Sequence, residues 1–237
     1  MARPKNQAAR RLELVSVTSE LLVERGASGA RLTDIATAAG LTPAAVTYYY
    51  PNLVELYADT YATATQEYVT KRRESVDKVS GAVARLVECL RLGVPRKGTS
   101  SYAATVLLIE LAALESREPA VALAGEAFGR EQVRLIEAIL AEGEDDGVFR
   151  PAHGPAAAAR AILALEDGLA PSVISGRLTP EESLELTLAM AGTLVGAELA
   201  AAPASTPPPR PPRLASTPPT RPRAARPPHR RHPRPAS

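Results

Sequence analysis

The chain of 237 residues has no tryptophan, two phenylalanines, two methionines and one cysteine. With Cys89 alone, no intrachain disulfide framework can form, nor any thiolate metal cluster within one chain, and a reducing compartment is expected. No stretch of about 18 consecutive apolar residues occurs, so no membrane-spanning helix is expected. The basic start "MARPKNQAARR" is followed by "LELVSVTSELLVERG", where Glu, Ser and Thr interrupt the apolar positions, and this does not read as a signal peptide. The expectation is a soluble, cytoplasmic protein. Missing too are a Gly-rich phosphate loop, a nucleophile elbow and an HExxH-type metal motif, so no catalytic residue, metal or cofactor is expected. His153 sits in a Pro/Gly loop and reads as solvated, and Cys89 reads as a small core residue.

What the chain does have is helix-forming composition. Ala, Leu, Glu and Arg dominate the first two hundred residues and β-branched clusters are thin, which implies an all-α body. Charge is unevenly placed. Residues 203-237 hold eight of the 28 Lys and Arg and no acid, which leaves 20 basic against 26 acidic residues, a net of −6, for residues 1-202. The overall charge of +2 is therefore no sign that the folded body binds nucleic acid. The same segment carries 13 of the 22 prolines and almost no large apolar side chain, so it reads as a disordered Pro/Arg-rich tail. It could be a plain extension, an auxiliary cationic arm on DNA, or a proline-rich partner ligand.

Ahead of the tail, apolar periodicity predicts helices one after another. The first carries Leu14, Val15, Thr18, Leu21 and Leu22 on one stripe and stops at Gly26. A short second one has Leu32, Ile35, Ala36 and Ala39 at helical spacing and ends at Gly40. The third opens with Thr42 as N-cap and Pro43 at its first position, and stops at Tyr50 because Pro51 follows. The fourth starts at Asn52, capped with Glu55, and runs through Tyr57, Tyr61 and Tyr68 towards Arg73 as a strut. Further helices are predicted near 77-93, 100-117, 119-145, 155-175 and 180-201, the last with a Thr179–Glu182 capping box.

Two short helices around a tight turn form a helix-turn-helix, whose later helix enters the major groove by its N-terminal end. In "IATAAGLTPAAVTYYYP" small residues at Pro43, Ala44 and Ala45 let that end approach base edges, and Thr42 at the helix start suits a phosphate. Three successive tyrosines follow. At 100° per residue, with Val46 inward, Tyr50 joins the core, Tyr48 and Thr47 fall on the exposed side, and Tyr49 lies on the flank. Tyr48 is then placed to donate its hydroxyl to a phosphate.

Residues 10-57, above all "ARLTDIATAAGLTPAAVTYYYPNLVEL", resemble the DNA-binding domain of the tetracycline-repressor (TetR) family, with Ile35, Ala36, Gly40, Thr42, Tyr49, Tyr50 and Leu56 at family spacing. The resemblance implies an N-terminal helix-turn-helix domain (1-51), a C-terminal helical ligand-binding and dimerisation domain (52-202) and the tail (203-237). It further implies a homodimeric regulator, mostly a repressor, released from a palindromic double-stranded DNA operator by an unknown small-molecule effector. Base contacts are implied for Thr42, Pro43, Ala44 and Ala45, and phosphate contacts for Tyr48 and Tyr49, with Arg31, Thr33 and Thr47 completing the candidate set. The chain departs from the family where a tyrosine and a lysine are usual, having Thr47 and Leu53, and has Arg31 where a threonine usually starts the second helix. The alternative is a small-molecule- or partner-binding helical dimer whose DNA-binding head has decayed.

Candidate ligand contacts are Tyr61, Tyr68, Tyr102, Glu110 and Glu166; for the strut tyrosines interhelical packing competes with ligand stacking, and for Glu110 and the Glu166-Asp167 pair a solvated face competes with a pocket. The last two helices present the seams Ile162, Leu165, Leu169, Val173 and Leu184, Leu188, Ala191, Val195, expected to pair about a two-fold axis.

Overall fold

Helix boundaries follow caps and breakers already visible in the chain. The structure, a computed structural model, describes residues 4–200. Among the described residues there are nine helices and no strand: α1 (Pro4–Gly29), α2 (Leu32–Ala38), α3 (Pro43–Tyr49), α4 (Leu53–Val76), α5 (Ala82–Gly93), α6 (Ser100–Glu115), α7 (Pro119–Asp145), α8 (Gly154–Ile174) and α9 (Pro180–Val195). The predicted all-α class is what is found. The segment 203-237, expected to be a disordered tail, lies outside the described residues.

Thr42 caps α3 by accepting the Ala45 N–H at 3.2 Å, and Asn52 caps α4 by accepting the Glu55 N–H at 2.8 Å. Thr179 and Glu182 form the reciprocal box at α9. Each such cap stabilises its helix by about 1 kcal/mol. At the end of α2, Gly40 takes φ +65°, which lets its N–H reach Thr37 O at 3.1 Å and the Leu41 N–H reach Ala36 O at 2.8 Å. This paired closure turns the chain sharply into α3.

Three boundaries differ from expectation. At Gly26 (φ 69°, ψ −179°) the helix does break, but helical backbone resumes and carries α1 to Gly29. α5 starts at Ala82, not at 77, because Asp77 closes α4 and Gly81 adopts φ +84°. α9 stops at Val195, since Gly196 turns left-handed, with φ +66°.

The stripe Leu14, Val15, Thr18, Leu21, Leu22 is wholly buried, as are Ile35, Ala36 and Val46. Their cluster does not stop at the head. It continues through Leu56, Tyr57, Tyr61 and Tyr68 of α4 into Leu107 and Leu111 of α6 and Phe128 of α7. α4, about 36 Å long at 1.5 Å per residue, packs on α1, α5, α6 and α7 and so spans head and body. A second cluster joins α5, α7, α8 and α9 around Leu86, Ile136, Ile139, Phe149 and Ile162. Among the described residues no helix is long and apolar enough to cross a membrane.

Candidate nucleic-acid interface and ligand cleft

The first turn of α3 lies open. Thr42, Pro43 and Ala44 are exposed and Ala45 half-buried, while Val46 plugs the core beneath them. Nothing bulkier than a methyl, a ring or a hydroxyl guards this helix end. Thr47 is exposed and turns its hydroxyl back to the carbonyls of Pro43 (3.2 Å) and Ala44 (3.0 Å). On α2, Arg31 is the exposed N-cap residue and makes no side-chain cap, and Thr33 is exposed beside it.

The three tyrosines separate as the helical angle predicts. Tyr48 is 68% exposed, Tyr49 is half-buried and Tyr50 is 2% exposed. Tyr48 and Tyr49 meet edge to face, centroids 5.1 Å apart, so the outer ring is held by the flanking one. Tyr50 is more than an apolar plug. Its hydroxyl donates to Asp59 of α4 at 2.9 Å, and the Arg11 guanidinium of α1 lies 4.0 Å over its ring. Arg11 also donates to the Tyr49 carbonyl (2.9 Å) and to Asp59 (3.0 Å). Burial, then the hydrogen bond to Asp59, push the Tyr50 phenol up to about 12. These contacts tie α1, α3 and α4 together behind the exposed face of α3.

Two further bonds join the head to the body. The Tyr57 hydroxyl donates to Ala30 O at 3.0 Å, and the Glu110 carboxylate of α6 accepts the Ala27 N–H at 2.7 Å, where the Gly26 break has freed it. Glu110, expected as a ligand contact, is thus engaged in holding α6 to the end of α1. Tyr102, in the first turn of α6, is half-buried and lines neither cleft described below.

Tyr61, Tyr68 and Glu166 do come together. Phe128 stands edge-on to Tyr61 (6.3 Å) and Tyr68 (5.8 Å). Beside them is a residue with no individual signal in the sequence, Arg72, 1% exposed. Its Nε donates to Cys89 O at 3.0 Å, one Nη donates to Gln132, and the other pairs with Glu166 at 2.7 Å. The guanidinium also lies 5.7 Å from the Tyr68 ring centre. Four helices, α4, α5, α7 and α8, therefore converge on one cation. Gly93 makes this possible, since a Cβ there would fall 2.2 Å from the Glu166 carboxylate. Burial pushes the Glu166 carboxyl up from its usual range, against the pull of Arg72. The one hint in the sequence is spacing: Tyr61, Thr65, Tyr68 and Arg72 recur at i, i+4, i+7 and i+11 on one stripe of α4.

Next to the pair is a cavity of only 30 Å³, lined by Phe128, Gln132 and Glu166, room for about one water. The Tyr61 hydroxyl is buried without a hydrogen-bond partner among the described residues. Of the larger clefts that open to the surface, two are lined in part by α5. One, of 380 Å³, lies between α4, α5 and the start of α6 and is lined by Tyr68, Lys71, Arg72, Arg91 and Arg96 among others. The other, of 670 Å³, is mostly apolar, with Ala82, Val83, Val87, Val148 and Leu184 in its wall.

The expected dimer seam divides in two. Ile162, Leu188, Ala191 and Val195 are buried in the chain's own second cluster, and Leu165, Leu169, Val173 and Leu184 are half-buried. Ile162, Leu188, Ala191 and Val195 pack inward with residues of α5 and α7, and Leu184 lies against that cluster. What α8 and α9 leave outward is a different face: Ala157, Ala161, Ala164 and Gly168, with Leu186 (46% exposed) and Met190 (50%).

Residues 82–196 match the family described as BetI-type transcriptional repressor, C-terminal. The fold is shared with many solved structures. One is a putative TetR-family transcriptional regulator from Rhodococcus sp., 19% identical over 79% of this chain and 99% of that one, TM-score 0.67. Another is a putative transcriptional regulator from Saccharomonospora viridis in complex with choline, 18% identical over 79% and 98%, TM-score 0.73. A third, AibR in complex with isovaleryl coenzyme A and operator DNA, is 20% identical over 79% and 99%, TM-score 0.55. At these identities the likeness carries the fold. No curated protein matches the sequence.

Proposed function

We propose that this chain, whose residues 82–196 match the BetI-type transcriptional repressor C-terminal family and whose fold is shared with TetR-family regulators, is itself a member of the tetracycline-repressor family and acts as a cytoplasmic, ligand-responsive, homodimeric transcriptional regulator. It is not an enzyme in this reading, and its default action is repression, with release from a palindromic operator when a small molecule binds. Residues 1-51 act as the DNA-binding head, residues 52-202 bind the effector and the second copy, and 203-237 are an extension. The observation that carries this is the α3 start, open from Thr42 to Ala44 with Tyr48 projecting beside it, over an anchor built from Tyr50, Arg11 and Asp59. Two such helices on a dimer read major-groove half-sites about one helical turn, ~34–36 Å, apart. Thr42, Pro43, Ala44 and Ala45 take base edges, and Tyr48, Tyr49, Arg31, Thr33 and Thr47 take the backbone.

Dimerisation uses the outward face of α8 and α9, where Leu186 and Met190 are anchors and the small residues allow close approach. Leu186→Glu with Met190→Glu is expected to convert the dimer to monomer in sedimentation at micromolar concentration. An unchanged dimer refutes that face. Choline and isovaleryl coenzyme A in the related structures support a small-molecule effector, and the operator complex supports DNA as the target.

The test of DNA binding is a mobility-shift titration, at several salt concentrations, against DNA flanking the protein's own gene. A specific complex at low salt is expected; its absence ends the regulator reading. One observation favours the second reading, a decayed head: between residues 31 and 57 Arg31 is the sole basic residue, against Asp34 and Glu55. Effector or partner binding without any operator complex is the result that selects it.

A further inference from the structure

We propose that the effector is a small organic anion, carrying a carboxylate or phosphate group, and that it binds in the 380 Å³ cleft between α4, α5 and the first turn of α6. This rests on the reading of the chain as a ligand-responsive regulator. The cleft is lined by four cations, Lys71, Arg72, Arg91 and Arg96, against one acid, Glu74. They come from α4, α5 and the α5–α6 connection, so their meeting is a product of the fold and not of one charged stretch. Cations converging on one cavity offer several donors to a single anion.

The carboxylates that now face these cations do not close the site. Lys71 pairs with Glu67 and Arg96 with Glu181 at the surface, pairs that contribute little and exchange readily for a better acceptor, whereas Arg91 is held by Glu88 through two hydrogen bonds of 2.7 Å and still lines the cleft. Arg72 differs. It is fixed in the wall by Cys89 O, Gln132 and Glu166, so its charge is preorganised and needs no ordering when a ligand arrives. α6, 16 residues long, points its N-terminal turn at the same space through Ser100 and Ser101, adding the positive end of a helix dipole. Tyr68, Leu92 and Val94 give an apolar wall for the rest of the molecule, and the volume suits a small ligand.

The same geometry excludes an organic cation. The place where one would stack, near the Tyr68 face and next to Glu166, is already taken by the Arg72 guanidinium. The chain carries its own tethered cation there, and the side chains beyond it in the cleft wall include Lys71, Arg91 and Arg96.

The experiment uses the full, DNA-free chain and two-dimensional NMR titration at constant ionic strength. The probes are sodium isovalerate for the carboxylate arm, inorganic phosphate for the phosphate arm, and choline chloride as the cation. Saturable shifts at the Ser100 and Ser101 amides and at Arg91 are expected with at least one anion, with a Kd on the order of millimolar for so small a probe. Arg91→Gln with Arg96→Gln, both near the surface, is expected to keep the fold and weaken binding at least about tenfold. The inference is overturned if neither anion gives saturable shifts there, if choline does, or if the double variant binds as tightly. Operator binding is measured separately: its loss sinks the regulator reading and leaves the cleft assignment standing, whereas missing anion shifts do the reverse.

Discussion

Two arginine anchors sit at opposite ends of α4 and are built from similar parts. Near the start, Asp59 receives Arg11 and the Tyr50 hydroxyl; near the end, Arg72 reaches Glu166 and Gln132 beside Tyr68. Each pairs a guanidinium with a carboxylate next to a tyrosine ring. They differ in solvent. The Arg11 and Asp59 side chains are 40% and 49% exposed, those of Arg72 and Glu166 1% and 8%. In the head, water shares the charges, so the network orients α3 at little energetic risk. In the body, four helices depend on a pair that tolerates no missing partner. The N-terminal helices are thus held by a forgiving joint, and the body by an exacting one.

The largest effect expected comes from breaking the body anchor. Arg72→Met leaves Glu166 buried and unpaired, and should cost about 3–5 kcal/mol in urea unfolding near pH 7.5. The sign of its pH dependence follows from Glu166. Burial already raises that carboxyl, and without Arg72 the folded state gains further from protonation, so the deficit should shrink as pH falls towards 5. Adding Glu166→Leu should restore most of the loss, because an apolar pair of similar size needs no compensation. A single variant as stable as the wild type shows that the four helices do not hang on this cation.

A smaller effect is expected at the head anchor. Tyr50→Phe removes one hydrogen bond to a half-exposed carboxylate and should cost about 0.5–1.5 kcal/mol. Alkaline pH isolates the same group. The folded phenol is raised from 10.0 to about 12, so its contribution is present below pH 10 and lost as pH rises through 12. The wild type should therefore converge on Tyr50→Phe across that window, the other tyrosines being common to both. A gap that widens with pH contradicts the buried, hydrogen-bonded phenol.

The contrast also explains what the sequence makes legible. The head is local: caps at Thr42 and Asn52, the Gly40 turn and the tyrosine angles all act within a few residues, so spacing reveals them. Glu166 is visible as a charge interrupting an apolar run, but its partner lies 94 residues away, and in "KRRES" Arg72 looks like any solvated helix charge. Pair identity is a property of the fold. The expected dimer seam shows a related limit: periodicity finds an apolar stripe on α8 and α9 but not which neighbour covers it, and for Ile162, Leu188, Ala191 and Val195 that neighbour is the chain's own second cluster. Glu110 shows the third case, a charge in an apolar run recruited by a backbone N–H freed at Gly26.

The smallest effect on the fold, and the most telling about function, is expected at Tyr48. Exposed as it is, Tyr48→Phe should leave stability within about 0.5 kcal/mol. If its hydroxyl holds a phosphate, operator affinity falls by about 0.5–1.5 kcal/mol. Because a phosphate contact reads no base, the loss should be equal across operator variants, and because a hydroxyl carries no charge the salt slope should not change. Arg31→Gln is the control that separates the two terms, since removing the sole basic residue between 31 and 57 should lower the slope by about one. A Tyr48→Phe loss confined to particular base pairs would move the residue from backbone to base recognition. A stability cost matching that of Tyr50→Phe would instead make Tyr48 part of the joint, and the head would no longer divide into an anchor and a reading surface.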